Sequence, residues 1–347
     1  MKEKYDYSLL RHNTFGIDAV CKRFVDVATA SEAQEVARSL AETDEPFLII
    51  GGGSNLLLTG DFPGVVVHSA IRGIELQRET IAGDVFLRVG SGENWDAFVE
   101  YCVGQGWYGV ENLSLIPGEV GASAVQNIGA YGVEAKDIIA GIRAWDRVER
   151  RFVDIDPAEC EYGYRTSRFK TAWKGRFVIT SVTYRLSRAP KPVLDYGGIR
   201  KALEIAGQAG NLTPQLIRDT IIGIRRKKLP DPQEIGSAGS FFCNPVISRE
   251  HFEKIVATAR QDNGDDYEVP HYVVGDMIKI PAAWMIEQCG FKGMRLGGAE
   301  VYRTQPLVIV NATGDAEPAD ILALERCIIS TISAKYGITL HPEVEHI

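Results

Sequence analysis

The sequence has no long apolar run and no excess of positive charge. None of its 347 residues lies in a stretch approaching the roughly 18 consecutive apolar residues that a membrane-spanning helix needs. Residues 1–7 are charged and form no apolar core of a signal peptide. Lys and Arg number 38 against 46 Asp and Glu, a net charge of −8, which argues against an overall electrostatic attraction to nucleic acid or anionic lipid. We therefore expect a soluble, cytoplasmic protein without a membrane or nucleic-acid partner, in which local groups bind any anionic ligand.

Cysteine is scarce and scattered. The six cysteines form no C-x-x-C pair and have no histidine at ligand spacing, which indicates reduced thiols and predicts no metal site. His12, His68, His251 and His271 show neither metal-ligand nor catalytic-triad spacing, so we interpret them as structural.

The apolar pattern predicts an α+β fold rather than a regular alternation of strands and helices. Ser31 is a candidate N-cap for the first helix, and Thr213 with Pro214 opens a later one. Strands are expected near 24–27, 47–50, 65–68, 85–89, 138–145, 177–186 and 307–310. Helices are expected near 31–40, 95–105, 199–206, 214–224, 250–260, 282–288 and 319–335, followed by an extended tail.

Glycine is abundant and clustered: 35 glycines make up about a tenth of the chain, where ~7% is ordinary. The predicted strand at 47–50 runs directly into Gly-Gly-Gly-Ser-Asn at 51–55, where the backbone can turn sharply with its N–H groups unobstructed. A second glycine-rich segment covers 114–122 and continues at 126–132. Neither segment has the spacing of a Rossmann fingerprint or a P-loop. Either alone is equally consistent with a tight turn or close helix packing, but the two together favour a cradle for a pyrophosphate.

Five ordered motifs make a more specific pattern. They are the glycine segment at 51–57, Ile-Pro-Gly through Gly at 116–132, Gly-Tyr-Arg-Thr-Ser-Arg-Phe-Lys at 163–170, Gly-Ser-Ala-Gly-Ser-Phe-Phe-Cys-Asn-Pro at 236–245, and Pro-Glu-Val at 342–344. In this order they resemble the motifs of the UDP-N-acetylenolpyruvoylglucosamine reductases, the flavoenzyme family also called MurB, of its longer, type I, kind. The resemblance extends from residue 13 to the C-terminus.

The resemblance implies an FAD-binding domain of the p-cresol methylhydroxylase or vanillyl-alcohol oxidase type, followed by an α/β substrate-binding domain. The expected divisions are 1–70 with the tail 337–347, 71–205, and 215–336. It also implies non-covalent FAD, NADPH as co-substrate, and reduction of the enolpyruvyl group of a UDP-sugar in peptidoglycan precursor synthesis by a monomer. The FAD-binding residues that it implies are Gly51, Gly52, Gly53, Ser54, Asn55, Ile116, Pro117, Gly118, Gly121, Ala122, Ser123, Asn127 and Gly129.

Three catalytic residues follow from the resemblance. Arg165 would stabilise the enolate that forms as the double bond is reduced, since an arginine fork suits a carboxylate. Ser240 would donate the proton to the α-carbon, and Glu343 would act as a protonated hydrogen-bond donor. Taken without the resemblance, these residues are a solvated hairpin arginine, a serine of a glycine-rich turn and a solvated near-terminal glutamate.

Substrate-binding residues follow in the same way. Lys228 matches a diphosphate ligand, although the run 225–228 is also typical of cations at a helix C-terminus. Asn244 accompanies Lys228, Tyr196 resembles a loop tyrosine that closes over substrate, and Gln126 could contact flavin or substrate. The chain departs from the family where Cys243 replaces a usual lysine, and where Glu-His at 345–346 replaces the usual Arg-Phe, so two cations near the anion site are missing.

Two other functions remain open from the sequence. A flavin oxidase of the same fold would usually carry a covalent flavin tether, and no tether motif is present. A non-catalytic UDP-sugar-binding protein could also retain the glycine segments.

Overall fold

The structure is a computed structural model that describes residues 1–208, 210 and 212–347. Strands and helices are mixed throughout, which confirms the α+β class. The helices are α1 (Ala30–Ala41), α2 (Trp95–Gly104), α3 (Val120–Gln126), α4 (Ile199–Ile205), α5 (Pro214–Lys228), α6 (Arg249–Asn263), α7 (Ala282–Gln288) and α8 (Pro318–Tyr336). Short 3-10 turns cover Leu10–His12, Glu111–Leu113, Ala135–Asp137, Pro157–Cys160 and Arg168–Lys170.

The strands are β1 (Lys2–Ser8), β2 (Val20–Val27), β3 (Phe47–Ile50), β4 (Leu56–Leu57), β5 (Phe62–Ser69), β6 (Ile74–Glu79), β7 (Asp84–Gly90), β8 (Gly129–Ala130), β9 (Val133–Glu134), β10 (Ile139–Asp146), β11 (Arg151–Ile155), β12 (Phe177–Ser187), β13 (Gly236–Ser240), β14 (Val246–Ser248), β15 (Tyr272–Val274), β16 (Met277–Lys279), β17 (Arg295–Leu296), β18 (Ala299–Val301), β19 (Val308–Asn311) and β20 (Glu345–His346).

Two helix ends differ in detail from the sequence prediction. Ser31 is not the N-cap of α1: Thr29 accepts the N–H of Glu32 at 3.2 Å, because the helix begins one residue earlier than expected. Helix α5 opens at Pro214 as predicted, with the Thr213 hydroxyl accepting the N–H of Leu216. It then continues to residue 228, since no helix-breaking residue occurs before the proline at 230.

The chain divides into two compact units. The first comprises Met1–His12, Val20–Gly53 and Asp61–Lys227. It holds a four-stranded sheet in the order β1-β2-β5-β3, in which β2, β5 and β3 are parallel, and an antiparallel five-stranded sheet in the order β11-β10-β12-β7-β6. Parallel β5 and β3 bring the ends of both strands to one sheet edge, from which the first glycine segment departs.

The main core of the first unit lies around Trp95, Phe98 and Tyr184, whose ring centroids are 4.9 to 5.8 Å apart. All three side chains are fully buried, and burial of each contributes about 2–3 kcal/mol. The Tyr184 hydroxyl is satisfied by the Ser123 hydroxyl at 2.7 Å, which fastens α3 to β12. This packing positions the second glycine segment.

The second unit comprises Asn13–Ala19, Ser54–Gly60 and Lys228–Ile347. Its main sheet has the order β13-β19-β18-β17, and a three-stranded sheet has the order β14-β16-β15. The last strand, β20, pairs with β4 in parallel, so the C-terminus holds a segment from early in the chain. No helix in the described part of the chain is long and apolar enough to cross a membrane. The three divisions expected from the sequence stay a prediction.

Candidate active site

The two glycine segments of the first unit pack directly against each other. A Cβ atom added to Gly52 would lie 3.3 Å from the Cα of Gly118, and one added to Gly51 would lie 3.2 Å from the Cβ of Ala122. A Cβ on Gly121 would lie 2.9 Å from that of Ser91. Such spacing leaves little room for side chains, so backbone faces backbone across this region. The region fits the predicted cradle for the diphosphate of a dinucleotide.

Two of the residues expected to bind FAD use their side chains in hydrogen bonds within the protein. Ser123 is buried and its hydroxyl contacts the Val120 carbonyl and the Tyr184 hydroxyl, both at 2.7 Å. Asn127 is also buried, in the left-handed conformation (φ 48°) that ends α3. Its amide donates to the carbonyl of Gly163 at 2.8 Å and accepts the N–H of Lys136 at 3.0 Å. These contacts indicate that both side chains shape the segment around them.

Arg165 lies in a two-residue hairpin turn that Asn127 helps to hold. Gly163 and Thr166 close the turn with two backbone hydrogen bonds, and Arg165 takes a positive φ of 57°, a strained conformation for a residue with a side chain. Its Nη2 donates to the carbonyl of Gly129 at 2.6 Å. The guanidinium is therefore anchored at one nitrogen beside the second glycine segment.

Arg225 is a candidate site residue that the sequence did not indicate. Burial lowers the pKa of its guanidinium, and the charge of Arg165 lowers it further, while Tyr131 and Asp96 raise it. Its Nε is buried with no hydrogen-bond partner among the described residues. Because the charges of Arg165 and Arg225 are close enough to repel each other, an anion bound near both guanidinium groups would be stabilised. Arg225 is one of four consecutive basic residues at the end of α5, and the sequence does not distinguish it from the others. Only its burial in the structure does so.

Tyr196 lies in a turn that interlocks with a second tyrosine turn of the same unit. A Cβ on Gly132 would lie 2.2 Å from the Tyr196 ring, and one on Gly197 would lie 2.3 Å from the Tyr131 ring. Both glycines have positive φ, at 82° and 64°. The Asn112 amide donates to the carbonyl of Tyr131 at 2.8 Å, and the Tyr196 side chain is about half exposed. This arrangement leaves the Tyr196 ring at the surface beside Gly132; its closure over substrate stays a prediction.

In the second unit the C-terminal tail pairs with the loop that follows Ser240. The N–H of Glu343 donates to the carbonyl of Phe241 at 2.8 Å, and the N–H of Cys243 donates to the carbonyl of His341 at 2.9 Å. Ser240 and Glu343 therefore lie on neighbouring backbone segments, although 103 residues separate them in sequence. Arg165 belongs to the first unit, and the grouping of all three residues stays a prediction.

The remaining expected ligands of the second unit also take part in its framework. Asn55 donates its amide N–H to the carbonyl of Glu343 at 3.0 Å, which links the end of the first glycine segment to the tail. Asn244 accepts the N–H of Ala282 at the start of α7 at 2.9 Å. Lys228 is exposed, and its carbonyl accepts the Thr304 hydroxyl at 2.8 Å.

The remaining expected contacts, apart from Ser54, belong to the first unit. Gln126 accepts a hydrogen bond from Lys170 at 2.7 Å, and Ile116 packs against the main core of the first unit. Pro117 continues the same segment into Gly118, and Ser54 begins the early segment of the second unit.

His346 does not replace the positive charge that is lost because this chain has Glu-His at 345–346 where the family usually has Arg-Phe. His346 lies with its ring 6.1 Å from Phe241, and its Nε2 is 3.4 Å from the carboxylate of Glu325. Burial lowers the pKa of His346, so the ring is neutral at neutral pH. Among the described residues no cluster of three or more potential ligands could hold a metal ion.

Comparisons with known proteins define the class first. The family model described as "FAD binding domain" matches residues 21–150, which contain both glycine segments. A second model, "UDP-N-acetylenolpyruvoylglucosamine reductase, C-terminal domain", matches residues 231–347. The chain is an FAD-dependent oxidoreductase.

The relatives then give the family. The chain is 48% identical to the UDP-N-acetylenolpyruvoylglucosamine reductase of Bacteroides fragilis strain YCH46, over all of both sequences. It is 42% identical to that of Burkholderia mallei strain NCTC 10229, over 97% of this chain and 95% of the relative. The chain belongs to the UDP-N-acetylenolpyruvoylglucosamine reductase family, as its motifs predict. A crystal structure of the Thermus caldophilus enzyme of that name has the same fold, with a TM-score of 0.65 at 23% identity over 99% of this chain and 98% of that one.

Proposed function

We propose that the protein catalyses the NADPH-dependent reduction of UDP-N-acetylglucosamine enolpyruvate to UDP-N-acetylmuramate, a step of peptidoglycan precursor synthesis. The observation that carries the proposal is the pairing of the Ser240 loop with the tail at Glu343, in a chain that also contains the glycine cradle. Both the nucleotide sugar and NADPH are metabolites of the cytoplasm, where we place the reaction. When bound, FAD would accept two electrons from NADPH and pass them to the enolpyruvyl double bond.

The cradle would hold the diphosphate of FAD without a covalent tether. Gly51 and Gly52 face Gly118 and Ala122 closely enough that backbone amides, rather than side chains, would meet the phosphates. Pro117 limits the backbone before Gly118, and Asn127 fixes the far end of α3. These residues would bind and orient the cofactor.

Arg165 and Arg225 would stabilise the negative charge that develops on the substrate carboxylate. Reduction at the methylene carbon pushes electron density onto the α-carbon and its carboxylate, so a fixed cation lowers the barrier. Arg165 is anchored through Nη2 to Gly129, so little reorganisation is needed as the charge forms. The unpartnered Nε of Arg225 gives a second donor in the same part of the unit.

Ser240 would donate the proton that the α-carbon requires, and Glu343 would assist as a hydrogen-bond donor. A serine hydroxyl is a weak acid, but an enolate carbon is strongly basic and the hydroxyl is held in place. The hydrogen bond between Glu343 N–H and the Phe241 carbonyl keeps the tail beside the serine loop. Lys228 would bind the diphosphate of the sugar nucleotide, and Asn244, Tyr196 and Gln126 are further proposed substrate-binding residues.

An anaerobic half-reaction experiment tests the proposal. Purified protein is expected to be yellow, to bleach with NADPH, and to recover its colour when UDP-N-acetylglucosamine enolpyruvate is added. Ser240→Ala should bleach at the wild-type rate but recover at least 100-fold more slowly, since only the second half-reaction needs its proton. The matched control is Ser237→Ala, which alters a buried serine of the same strand.

Each alternative gives a different result. Recovery of colour with oxygen and an alcohol or amine, but not with the enolpyruvyl sugar, would indicate a flavin oxidase. Protein that binds the UDP-sugar but cannot take up FAD would be a non-catalytic binding protein. Wild-type recovery rates in Ser240→Ala would remove Ser240 from the mechanism.

A further inference from the structure

A buried histidine lies between two carboxylates beneath the first glycine segment. His68, near the end of β5, has its Nδ1 2.7 Å from an oxygen of Asp26 and its Nε2 2.9 Å from an oxygen of Glu119. The side chains of His68 and Glu119 are only 14% and 10% exposed. Because both ring nitrogens face carboxylate oxygens, both hydrogen bonds require the imidazolium, the form with two N–H donors.

The groups around His68 favour that charged form. Burial of the ring opposes it, but the hydrogen bonds and charges of Glu119 and Asp26 outweigh burial and raise the pKa of His68. The other titratable group that faces it is His12, whose ring centroid is 5.4 Å away. Burial and the charge of His68 lower the pKa of His12, while Asp26 raises it and Lys4 lowers it, so His12 is neutral when His68 is charged.

The second oxygen of Glu119 has no donor in the part of the chain that the structure describes. Glu119 Oε2 is buried and makes no hydrogen bond to any described residue. It lies 3.3 Å from the position of a Cβ on Gly51, so it faces the cradle that we assign to FAD. A buried carboxylate oxygen without a donor is unfavourable, which indicates that a ligand supplies the donor.

We propose that Glu119 is an FAD-binding residue, and that His68 positions it and offsets its charge. This inference rests on the proposed function. A carboxylate only accepts hydrogen bonds, and phosphate oxygens have no proton to donate, so the partner must be one of the other groups of FAD that donate, its hydroxyls or its N–H groups. The ribityl and ribose groups that flank the diphosphate of FAD carry such hydroxyls.

The charge of His68 then becomes part of FAD binding. A carboxylate beside a diphosphate is repelled unless a cation lies close, and the His68 imidazolium is within hydrogen-bonding distance of Glu119. Loss of its proton would leave the Glu119 charge uncompensated and weaken FAD binding. The dissociation constant for FAD should therefore rise with pH, by up to about tenfold per pH unit for a single proton.

The experiment measures FAD released from diluted holoenzyme by its fluorescence, between pH 6 and 9. Wild-type protein should bind FAD more weakly as pH rises through the pKa of His68. His68→Asn keeps a hydrogen-bond donor but no charge, so it should bind FAD about tenfold more weakly at pH 6 and with a flat pH profile. Glu119→Gln removes the charge to be offset and should also flatten the profile.

Two further variants complete the series. Asp26→Asn removes a carboxylate that raises the pKa of His68 and does not face the cradle, so it should move the fall in affinity to lower pH. Asp154→Asn removes an exposed carboxylate of the same unit and should leave the wild-type profile unchanged. Melting temperatures of all variants report on folding separately, and the Asp26→Asn shift tests the inference even if His68→Asn fails to fold.

The outcomes separate this inference from the proposed function. A pH-independent wild-type affinity, or His68→Asn and Glu119→Gln with the wild-type profile, would overturn the inference alone. FAD binding with the expected profile, but no reduction of the enolpyruvyl sugar, would overturn the proposed function and support the inference. Wild-type protein that never binds FAD would overturn both.

Discussion

At the scale of single residues, burial decides which charged groups matter. Glu325 lies on α8 in the second unit and is 6% exposed. Burial raises the pKa of its carboxyl group to about 7, from an ordinary value of 4.5, although the charge of Arg326 opposes the shift. The folded protein therefore holds a proton that the unfolded chain has already released between these two pH values.

This shift predicts a pH-dependent stability. Because the folded state binds more protons, the contribution of Glu325 to the free energy of unfolding falls as pH rises from about 4.5 to about 7, by about 3 kcal/mol in total. Glu325→Gln cannot ionise, so it should be more stable than wild type at pH 8 and nearly equal to it at pH 5. Urea denaturation at a fixed FAD concentration measures the difference. Glu253→Gln, an exposed change on α6, is the control, and an equal effect of Glu325→Gln at both pH values would contradict the prediction.

Candidate roles could be assigned from the sequence to residues that lie within a motif. They could not be assigned to residues whose surroundings depend on packing between distant segments. Arg165, Ser240 and Glu343 could be selected because each lies within a recognisable motif. His68 was interpreted as structural because its partners come from positions 26 and 119, and spacing along the chain reveals no such cluster. Arg225 is singled out only by burial.

At the scale of elements, α5 is held to α2 by a partly buried ion pair. Arg218, 4% exposed, forms two hydrogen bonds of 2.6 and 2.9 Å with the carboxylate of Asp96, in the first turn of α2. The Asp96 carboxylate also accepts the backbone N–H of Leu115, at the start of the second glycine segment. Burial opposes ionisation of Asp96, but Arg218 and Leu115 outweigh it and lower its pKa.

Breaking this pair should destabilise the first unit. Arg218→Met leaves the Asp96 charge partly buried without its partner, at a cost on the order of 3 kcal/mol. Adding Asp96→Asn to the same protein should recover part of that loss, because no lone charge remains. Thermal unfolding measures both, and Arg226→Met, an exposed change on the same helix, is the control. A single variant as stable as this control would mean that α5 is held by its apolar face alone.

Most helices and the buried longer strands were predictable because their apolar periods are regular. Helix α3, which lies in a glycine-rich segment, and the largely exposed strands β1 and β6 were not predicted. Nor were the shorter strands: β4 and β20 have two residues each, and they exist only because they pair across the whole length of the chain. The early end predicted for α5 has a similar cause. The basic residues 225–228 lack the apolar period from which a helix is predicted. None of them stops a helix, so α5 continues through them.

At the scale of the whole molecule, the second unit is assembled from three separate parts of the sequence. The C-terminal residues hold the segment at 54–60: the N–H of Glu345 donates to the carbonyl of Asn55, and the N–H of Thr59 donates to the carbonyl of Ile347 at 2.8 Å. These contacts join residues 290 and 288 positions apart. Bringing such distant segments together costs a large loop-closure entropy. This C-terminal clamp, the pairing of residues 345–347 with the segment at 54–60, therefore forms only when the rest of the unit is folded.

The segment at 54–60 that the tail holds overlaps the end of the first glycine segment. The tail therefore has two proposed roles, support of that segment and catalysis through Glu343, and two variants separate them. Deletion of residues 344–347 keeps Glu343 but removes β20, so Asn55 loses its hydrogen bond from Glu345, β4 loses its partner strand, and FAD should dissociate at least tenfold faster. Glu343→Ala keeps β20 but removes the hydrogen-bond donor, so FAD retention and bleaching by NADPH should be unchanged while recovery with the enolpyruvyl sugar slows at least tenfold. Stopped-flow absorbance and release of FAD fluorescence measure the two effects. If the deletion instead retains FAD and slows only the recovery, the tail serves catalysis alone and the clamp has no part in cofactor binding.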